Sequence, residues 1–269
     1  MNAEIKNAEW FFDLGVAYVK DGAMPEAEGE FAKAVELGSI PALYELALLK
    51  EFNEETELAI ALIKRAADAN FGPALAHFGW LVGAEDVEAG KNYLEAAVRA
   101  GETKAMFQLG CLLADEEPDE ARSWLMKSLE SGDNRAMNEL GLLEQGLGNL
   151  DLALDWFKRG AEVGDATAMF NIASLAHEDN DLEEAKVWYL KSLNAGGHGV
   201  PTLLGLVAEE EGNLDEARDW FGRGSAAGDA YAMHHLAVLE EKAGNLHQAQ
   251  EWHSRAAQAG YEEPPVDFD

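Results

Sequence analysis

Four of the seven histidines, His234, His235, His247 and His253, fall between positions 234 and 253, and a zinc site is the chemistry such a cluster would serve. Zinc needs three or four donors converging on one point. His234 and His235 are neighbours on a helical pattern, so they point about 100° apart, and His253 stands where comparable segments carry Phe, Tyr, Leu or Ile. No metal and no cofactor is expected. The single cysteine, Cys111, has no base at a fixed spacing and reads as a partly buried structural thiol. Carboxylates are plentiful, but Glu183-Glu184, Glu209-Glu210-Glu211 and Glu240-Glu241 lie near helix ends and read as solvated faces. No GxSxG, HExxH, Walker loop, CxxC pair or dinucleotide fingerprint occurs. The expectation is therefore a protein that is not an enzyme.

Charge narrows the partners. The 269 residues hold 51 Asp+Glu against 20 Lys+Arg, a net charge of −31, yet 48% of the chain is hydrophobic. That apolar share fits a folded acidic protein. Phosphate recognition needs a positive stripe and anionic membranes attract basic segments, so neither nucleic acid nor a membrane surface is an expected partner. One cysteine rules out an internal disulfide and fits a reducing compartment. Met1 to Trp10 does not read as a secretory signal, and no apolar run of about 18 residues suggests a membrane span. The expected location is the cytoplasm.

The elements that would position any site come from an internal repeat. Gly38, Asn70, Gly101, Gly132, Gly164, Gly196, Gly228 and Gly260 close successive segments at spacings of 32, 31, 31, 32, 32, 32 and 32. With the N-terminal segment they define eight units. The first half carries Ala-Leu/Met in six units, and in all eight a large apolar residue followed by a small one, as in Leu14-Gly15, Leu46-Ala47, Leu109-Gly110 and Leu204-Gly205. The second half carries a small residue, then Trp124, Trp156, Trp188, Trp220 or Trp252, then a large residue such as Phe157 or Phe221, then another small one. Both spacings follow one face of an α-helix. The five aligned tryptophans share that face with small residues, so packing between helices is expected of them rather than a stacking platform. Asn149, Asn213, Asn245, Asp86 and Asp181 are placed to cap second helices, and Asp133, Asp165 and Asp229 to cap first helices. The closing glycines suit a left-handed position after a helix. Gly196-Gly197-His198-Gly199 before Pro201 is the least regular junction. One helix pair cannot bury its own apolar face, so the pairs must stack.

The string Ala-Met/Leu-x-x-Leu-Gly-x-Leu, then Gly-Asn-Leu-Asp-x-Ala-x-x-Trp-Phe, then Gly-Asp, clearest over Ala136–Asp165 and Ala168–Asn194, resembles Sel1-like repeats of the tetratricopeptide superfamily. The units are shorter than typical Sel1-like ones, with a tight, tetratricopeptide-like linker. The resemblance covers roughly residues 7–260 and implies an all-α, right-handed α-solenoid of eight short antiparallel helix pairs, followed by an acidic tail over 261–269. It further implies protein–protein interaction, with first helices lining a concave face. Carrying that geometry across, the concave candidates include Phe12, Tyr44, Leu48, Trp80, Lys104, Phe107, Arg135, Asn138, Phe170 and His177. The expected function is an adaptor or scaffold that takes a partner peptide or helix in this groove, with aromatic anchors and with Lys104 and Arg135 pairing a ligand carboxylate. The alternative makes the charge functional, as an acidic inhibitor or immunity-type protein binding a basic, nucleic-acid-binding partner through its surface. The acidic tail could also fold back near the last unit as a pseudo-ligand.

Overall fold

The computed structural model describes residues 7–262, and the tail beyond Glu262 lies outside the described residues. The chain divides by its contacts into two compact units, residues 1–139 and 140–269. Both are all-helical among the described residues.

The first unit contains α1 (Ala8–Lys20), α2 (Met24–Glu36), α3 (Ile40–Phe52), α4 (Thr56–Asp68), α5 (Gly72–Gly83), α6 (Val87–Arg99), α7 (Ala105–Leu113) and α8 (Pro118–Glu130). It ends with the first residues of α9 (Arg135–Gly146). The second unit holds the rest of α9, then α10 (Leu150–Glu162), α11 (Ala166–Glu178), α12 (Leu182–Asn194), α13 (Val200–Glu210), α14 (Leu214–Ala226), α15 (Ala230–Lys242) and α16 (Leu246–Gln258). Within each unit a helix packs chiefly on its neighbours in sequence, the pattern of an α-solenoid.

Local chemistry sets the helix boundaries. The closing residues sit in the left-handed region as expected, with φ 89° at Gly38, 94° at Gly101 and 60° at Asn70. After α2 the Gly38 N–H donates to Val35 O at 2.9 Å and the Ser39 N–H to Ala34 O at 3.0 Å. These two bonds satisfy carbonyls that the helix end would leave open. Pro25, Pro41, Pro73, Pro118 and Pro201 occupy the first turns of their helices, where a missing N–H costs nothing.

The caps divide by side chain. Asp86 accepts from the Ala89 N–H at 2.9 Å, Asp181 from Glu184 at 3.0 Å, Asp165 from Thr167 at 2.8 Å, and Asp229 from Tyr231 at 2.9 Å. Asn149, Asn213 and Asn245 stand at N-cap positions but make no side-chain cap bond, which corrects the sequence reading. Their amides turn back to donate to Glu144 at 2.8 Å, Glu211 at 2.9 Å and Glu240 at 2.7 Å. A charged acceptor strengthens these Nδ2–H bonds and so fixes how the amides are turned.

The core runs between the two helices of each pair. Phe31, Ile63, Leu94, Leu125, Phe157, Tyr189 and Phe221 on second helices are all at most 1% exposed. Burying each contributes roughly 1.5–3 kcal/mol. Small residues on the facing first helix make room for them: a Cβ at Gly15 would stand 2.5 Å from the Phe31 ring, and one at Gly205 2.5 Å from the Phe221 ring.

The tryptophans pack as the sequence suggests, with an addition. Trp188 packs against cores on both sides of it, and Trp252 against the core built around Phe221. They are half-buried, and each exposed ring face is covered by the cation one turn on. Lys127 lies 3.8 Å from the Trp124 ring centre, Arg159 4.5 Å from Trp156, Lys191 3.4 Å from Trp188, Arg223 4.4 Å from Trp220 and Arg255 4.7 Å from Trp252. The indole N–H groups of Trp124, Trp188 and Trp220 donate to Glu120, Glu184 and Glu216 one turn back, at 3.2–3.3 Å. Each of these three rings therefore sits in a Glu–Trp–cation stripe that leaves no bare platform for stacking.

Candidate functional site

The first unit holds an open cleft of about 610 Å3, lined by Tyr44, Leu48, Pro73, Ala76, His77, Trp80, Glu102, Lys104, Phe107, Gln108 and Arg135. These side chains come from α3, α5, α7 and its N-terminal turn, and the first residue of α9. They are the first helices of successive pairs standing side by side. Trp80 is 45% exposed, a large apolar surface presented to solvent.

Six of the ten groove candidates meet here: Tyr44, Leu48, Trp80, Lys104, Phe107 and Arg135. The other four stand elsewhere. Phe12 packs on Phe31 with ring centres 5.9 Å apart, within the core of the first pair. Asn138 is only 6% exposed and its amide bonds Glu139, so it is buried rather than groove-lining. Phe170 packs edge-on to Tyr189 at 5.7 Å, in the second unit. His177, also in the second unit, lies 3.0 Å from Glu210 and borders a shallow polar hollow with Ser174, Glu178 and Tyr189.

Three lining residues escape a reading by register: His77, Glu102 and Gln108. His77 follows Ala76 directly, one position past the inward register, and its ring bridges Tyr44 and Glu51. Its Nδ1 is 3.3 Å from the Tyr44 hydroxyl and its Nε2 3.6 Å from Glu51. Glu102 occupies the register where Ser39, Asp165 and Asp229 cap, so its position suggests a helix cap rather than a cleft wall.

The electrostatics differ from the expected pair of free cations. Arg135 donates twice to Asp133, from Nε at 2.9 Å and from Nη2 at 2.6 Å, and its guanidinium stacks 4.4 Å from the Phe107 ring centre. The Asp133 carboxyl is held below its ordinary range chiefly by that bond. Arg135 is thus paired with Asp133 while its side chain stays largely exposed at the edge of the cleft. Lys104 is exposed at the N-cap of α7, and among the described residues no ion pair engages it. Tyr44 feels the charges of Glu45, Glu51 and Glu102. Burial, and then these three carboxylates, push its phenol above the ordinary value.

Other candidates for chemistry are placed as follows. Burial, reinforced by Glu139, pushes the Cys111 thiol up to about 12, so it is not an activated nucleophile. His235 stacks on Phe221 with ring centres 4.9 Å apart, and His253 lies 3.1 Å from Glu241. Among the described residues, no three His, Cys, Asp or Glu side chains converge as a metal site. No described helix is long and apolar enough to cross a membrane.

Comparison with known proteins agrees with this fold. Residues 166–195 match the tetratricopeptide repeat family. A Sel1 repeat protein from Oxalobacter formigenes superposes with a TM-score of 0.68 at 22% identity, covering 94% of this chain and 84% of its own. A protective antigen of uropathogenic Escherichia coli with an SLR fold gives 0.65 at 23% identity, and yeast Tom70 gives 0.64 at 14%. This chain is covered to 96% and 97% by those two but spans only 63% and 62% of their lengths. No curated protein matches the sequence significantly. The fold is that of the Sel1-like and tetratricopeptide repeat solenoids.

Proposed function

We propose that the protein is a cytoplasmic, non-enzymatic adaptor whose first unit takes a peptide segment of another protein in the cleft between α3, α5 and α7. The observation that carries this reading is the aromatic cleft itself: Tyr44, Trp80 and Phe107 face one open hollow on a rigid helical stack. Pre-organised aromatic anchors in a concave site concentrate binding energy in a few contacts. Little ordering entropy is then lost on binding.

The test is capture of partner proteins by the immobilised chain, wild type against Trp80→Ala/Phe107→Ala. Both side chains are partly accessible, so the variant is expected to keep its helical circular dichroism. Partners held by the cleft should be lost from the variant and retained by Leu147→Ala, an exposed apolar position in the second unit. Retention of the same partners by the cleft variant would refute the assignment.

A further inference from the structure

Resting on that reading, we infer that the cleft selects a basic segment: an apolar or aromatic anchor seated among Tyr44, Trp80 and Phe107, flanked by an arginine or lysine directed to Glu51 and Glu102. The inference comes from how charge is distributed along the cleft. A sequence reading gives the cleft two cations, Lys104 and Arg135, and so an acidic ligand. In the structure one of them is already paired. Asp133 holds the Arg135 guanidinium through two bonds at 2.9 and 2.6 Å, and Phe107 covers its face at 4.4 Å. A carboxylate arriving there would share a guanidinium whose charge already serves Asp133.

Carboxylates gather around the Tyr44 side of the cleft. Glu102 lines the cleft, and Glu51 approaches the lining His77 at 3.6 Å. Glu45 and Glu51 act on the Tyr44 hydroxyl together with Glu102. Glu102 is the carboxylate in the cleft wall, with Glu45 and Glu51 around its Tyr44 side; Asp133 is already paired with Arg135, which leaves Lys104, among the described residues, as the cation without an ion pair there. The exposed aromatic ring of Trp80 adds a negative π face, which favours a nearby cation over an anion. A chain with net charge −31 also draws basic segments toward it, but that attraction is spread over the whole surface and decays within about 8 Å at physiological salt. The cleft adds aromatic contact and a fixed orientation, with the basic group toward α3 and the other end of the ligand toward Lys104.

The experiment uses the full chain and two synthetic, fluorescein-labelled peptide pools sharing the same Leu, Phe and Trp anchors. One pool has Arg and Lys flanks, the other Asp and Glu, and both are titrated by fluorescence anisotropy at about 0.15 M salt. The basic pool should bind at least about tenfold more tightly than the acidic one. Glu51→Gln/Glu102→Gln should weaken it about tenfold, whereas Lys104→Glu should tighten it. A distant control, Asp151→Asn/Glu162→Gln on α10, measures general surface attraction.

Preference for the acidic pool, or loss of affinity on Lys104→Glu, overturns the inference. Equal weakening by the cleft and control variants also overturns it. If Trp80→Ala/Phe107→Ala abolishes acidic-pool binding, the peptide cleft stands and only its basic selectivity falls. If that variant leaves both pools unaffected, the cleft reading falls as well.

Discussion

Gly205 on α13 tests whether the small residues of the first helices are packing requirements rather than helix-neutral fillers. A Cβ at this position would stand 2.5 Å from Cδ1 and Cε1 of Phe221. Ordinary carbon contacts begin near 3.5 Å, so about 1 Å of movement is needed. Phe221 is 0% exposed and is held on its other side by the ring of His235, at a centroid distance of 4.9 Å. It has nowhere to retreat. Overpacking of this kind costs about 1–3 kcal/mol. Replacing a helical glycine by alanine returns up to about 1 kcal/mol through propensity and the narrower unfolded ensemble. With the full return taken off, Gly205→Ala should still destabilise the second unit, by up to about 2 kcal/mol.

Gly222 on α14 supplies the control, because a Cβ there would meet nothing within 4 Å. Gly222→Ala should stabilise by up to about 1 kcal/mol. The decisive variant pairs Gly205→Ala with Phe221→Ile, which recreates the combination already present as Ala47 on α3 and Ile63 on α4. It should recover part of the loss, giving a favourable coupling energy of about 1 kcal/mol. Stacked repeats need not unfold in one step. The measurement is thus hydrogen exchange of the α13 and α14 amides together with urea unfolding. Gly205→Ala as stable as Gly222→Ala, or a double variant that simply adds the two single effects, would refute the packing argument.

Two further outcomes follow from buried and paired groups. The carboxyls of Glu216 and Glu240 are held below their ordinary range, the first chiefly by Lys186 and the second chiefly by Asn245 and then Arg218. A lowered carboxyl stabilises the fold above its unfolded value of about 4.3, and that contribution is lost as pH falls through the folded value. Glu216→Gln/Glu240→Gln should be less stable than wild type at pH 7, with a gap in urea midpoint that closes as the pH is lowered below about 4. A gap that persists unchanged in acid would exclude the ion-pair explanation. Cys111, pushed up to about 12, should react with iodoacetamide at pH 8 at least about a hundredfold more slowly than a free thiol, and become comparably reactive only after unfolding in urea.

The repeat was legible because its period is written in backbone chemistry. Glycine at the left-handed position, proline in the first turn and small residues facing large ones are each forced locally, so they recur in register. The cleft was partly legible for the same reason. Tyr44, Leu48, Trp80, Lys104 and Phe107 occupy inward registers, and the structure brings them together. What register could not show is how a side chain is engaged. Arg135 and Asp133 are two residues apart and at inward and capping positions respectively, yet they close on each other through a bidentate pair. Glu102 falls in the capping register but faces the cleft. Asn149 and Asn245 sit at capping positions and bond carboxylates of the preceding helix instead. In each case the outcome depends on which acceptor lies nearest in three dimensions, which the period does not encode.

The distribution of cations gives the charge of −31 a structural logic. With 20 Lys+Arg against 51 Asp+Glu, cations are scarce, so where they are placed carries the information. Lys50 bridges Glu28 and Glu55 at 2.7 and 2.9 Å, tying α3 to the flanking second helices. Lys91 on α6 reaches Glu117 and Glu120 at the start of α8, and Lys186 on α12 reaches Glu211 and Glu216 at the turn into α14. Arg218 on α14 meets Glu240 on α15 at 3.0 Å. All four cations sit at the seams between successive helix pairs, where carboxylates of adjoining pairs are brought closest and repulsion would act against stacking. Five further cations close the tryptophan faces on the second helices. In a solenoid each pair is held only by its neighbours, so charge compensated at the seams protects the stack at the places where it is weakest. The carboxylates away from the seams are then free to define the surface, and the cleft in the first unit is where that excess meets exposed aromatic rings.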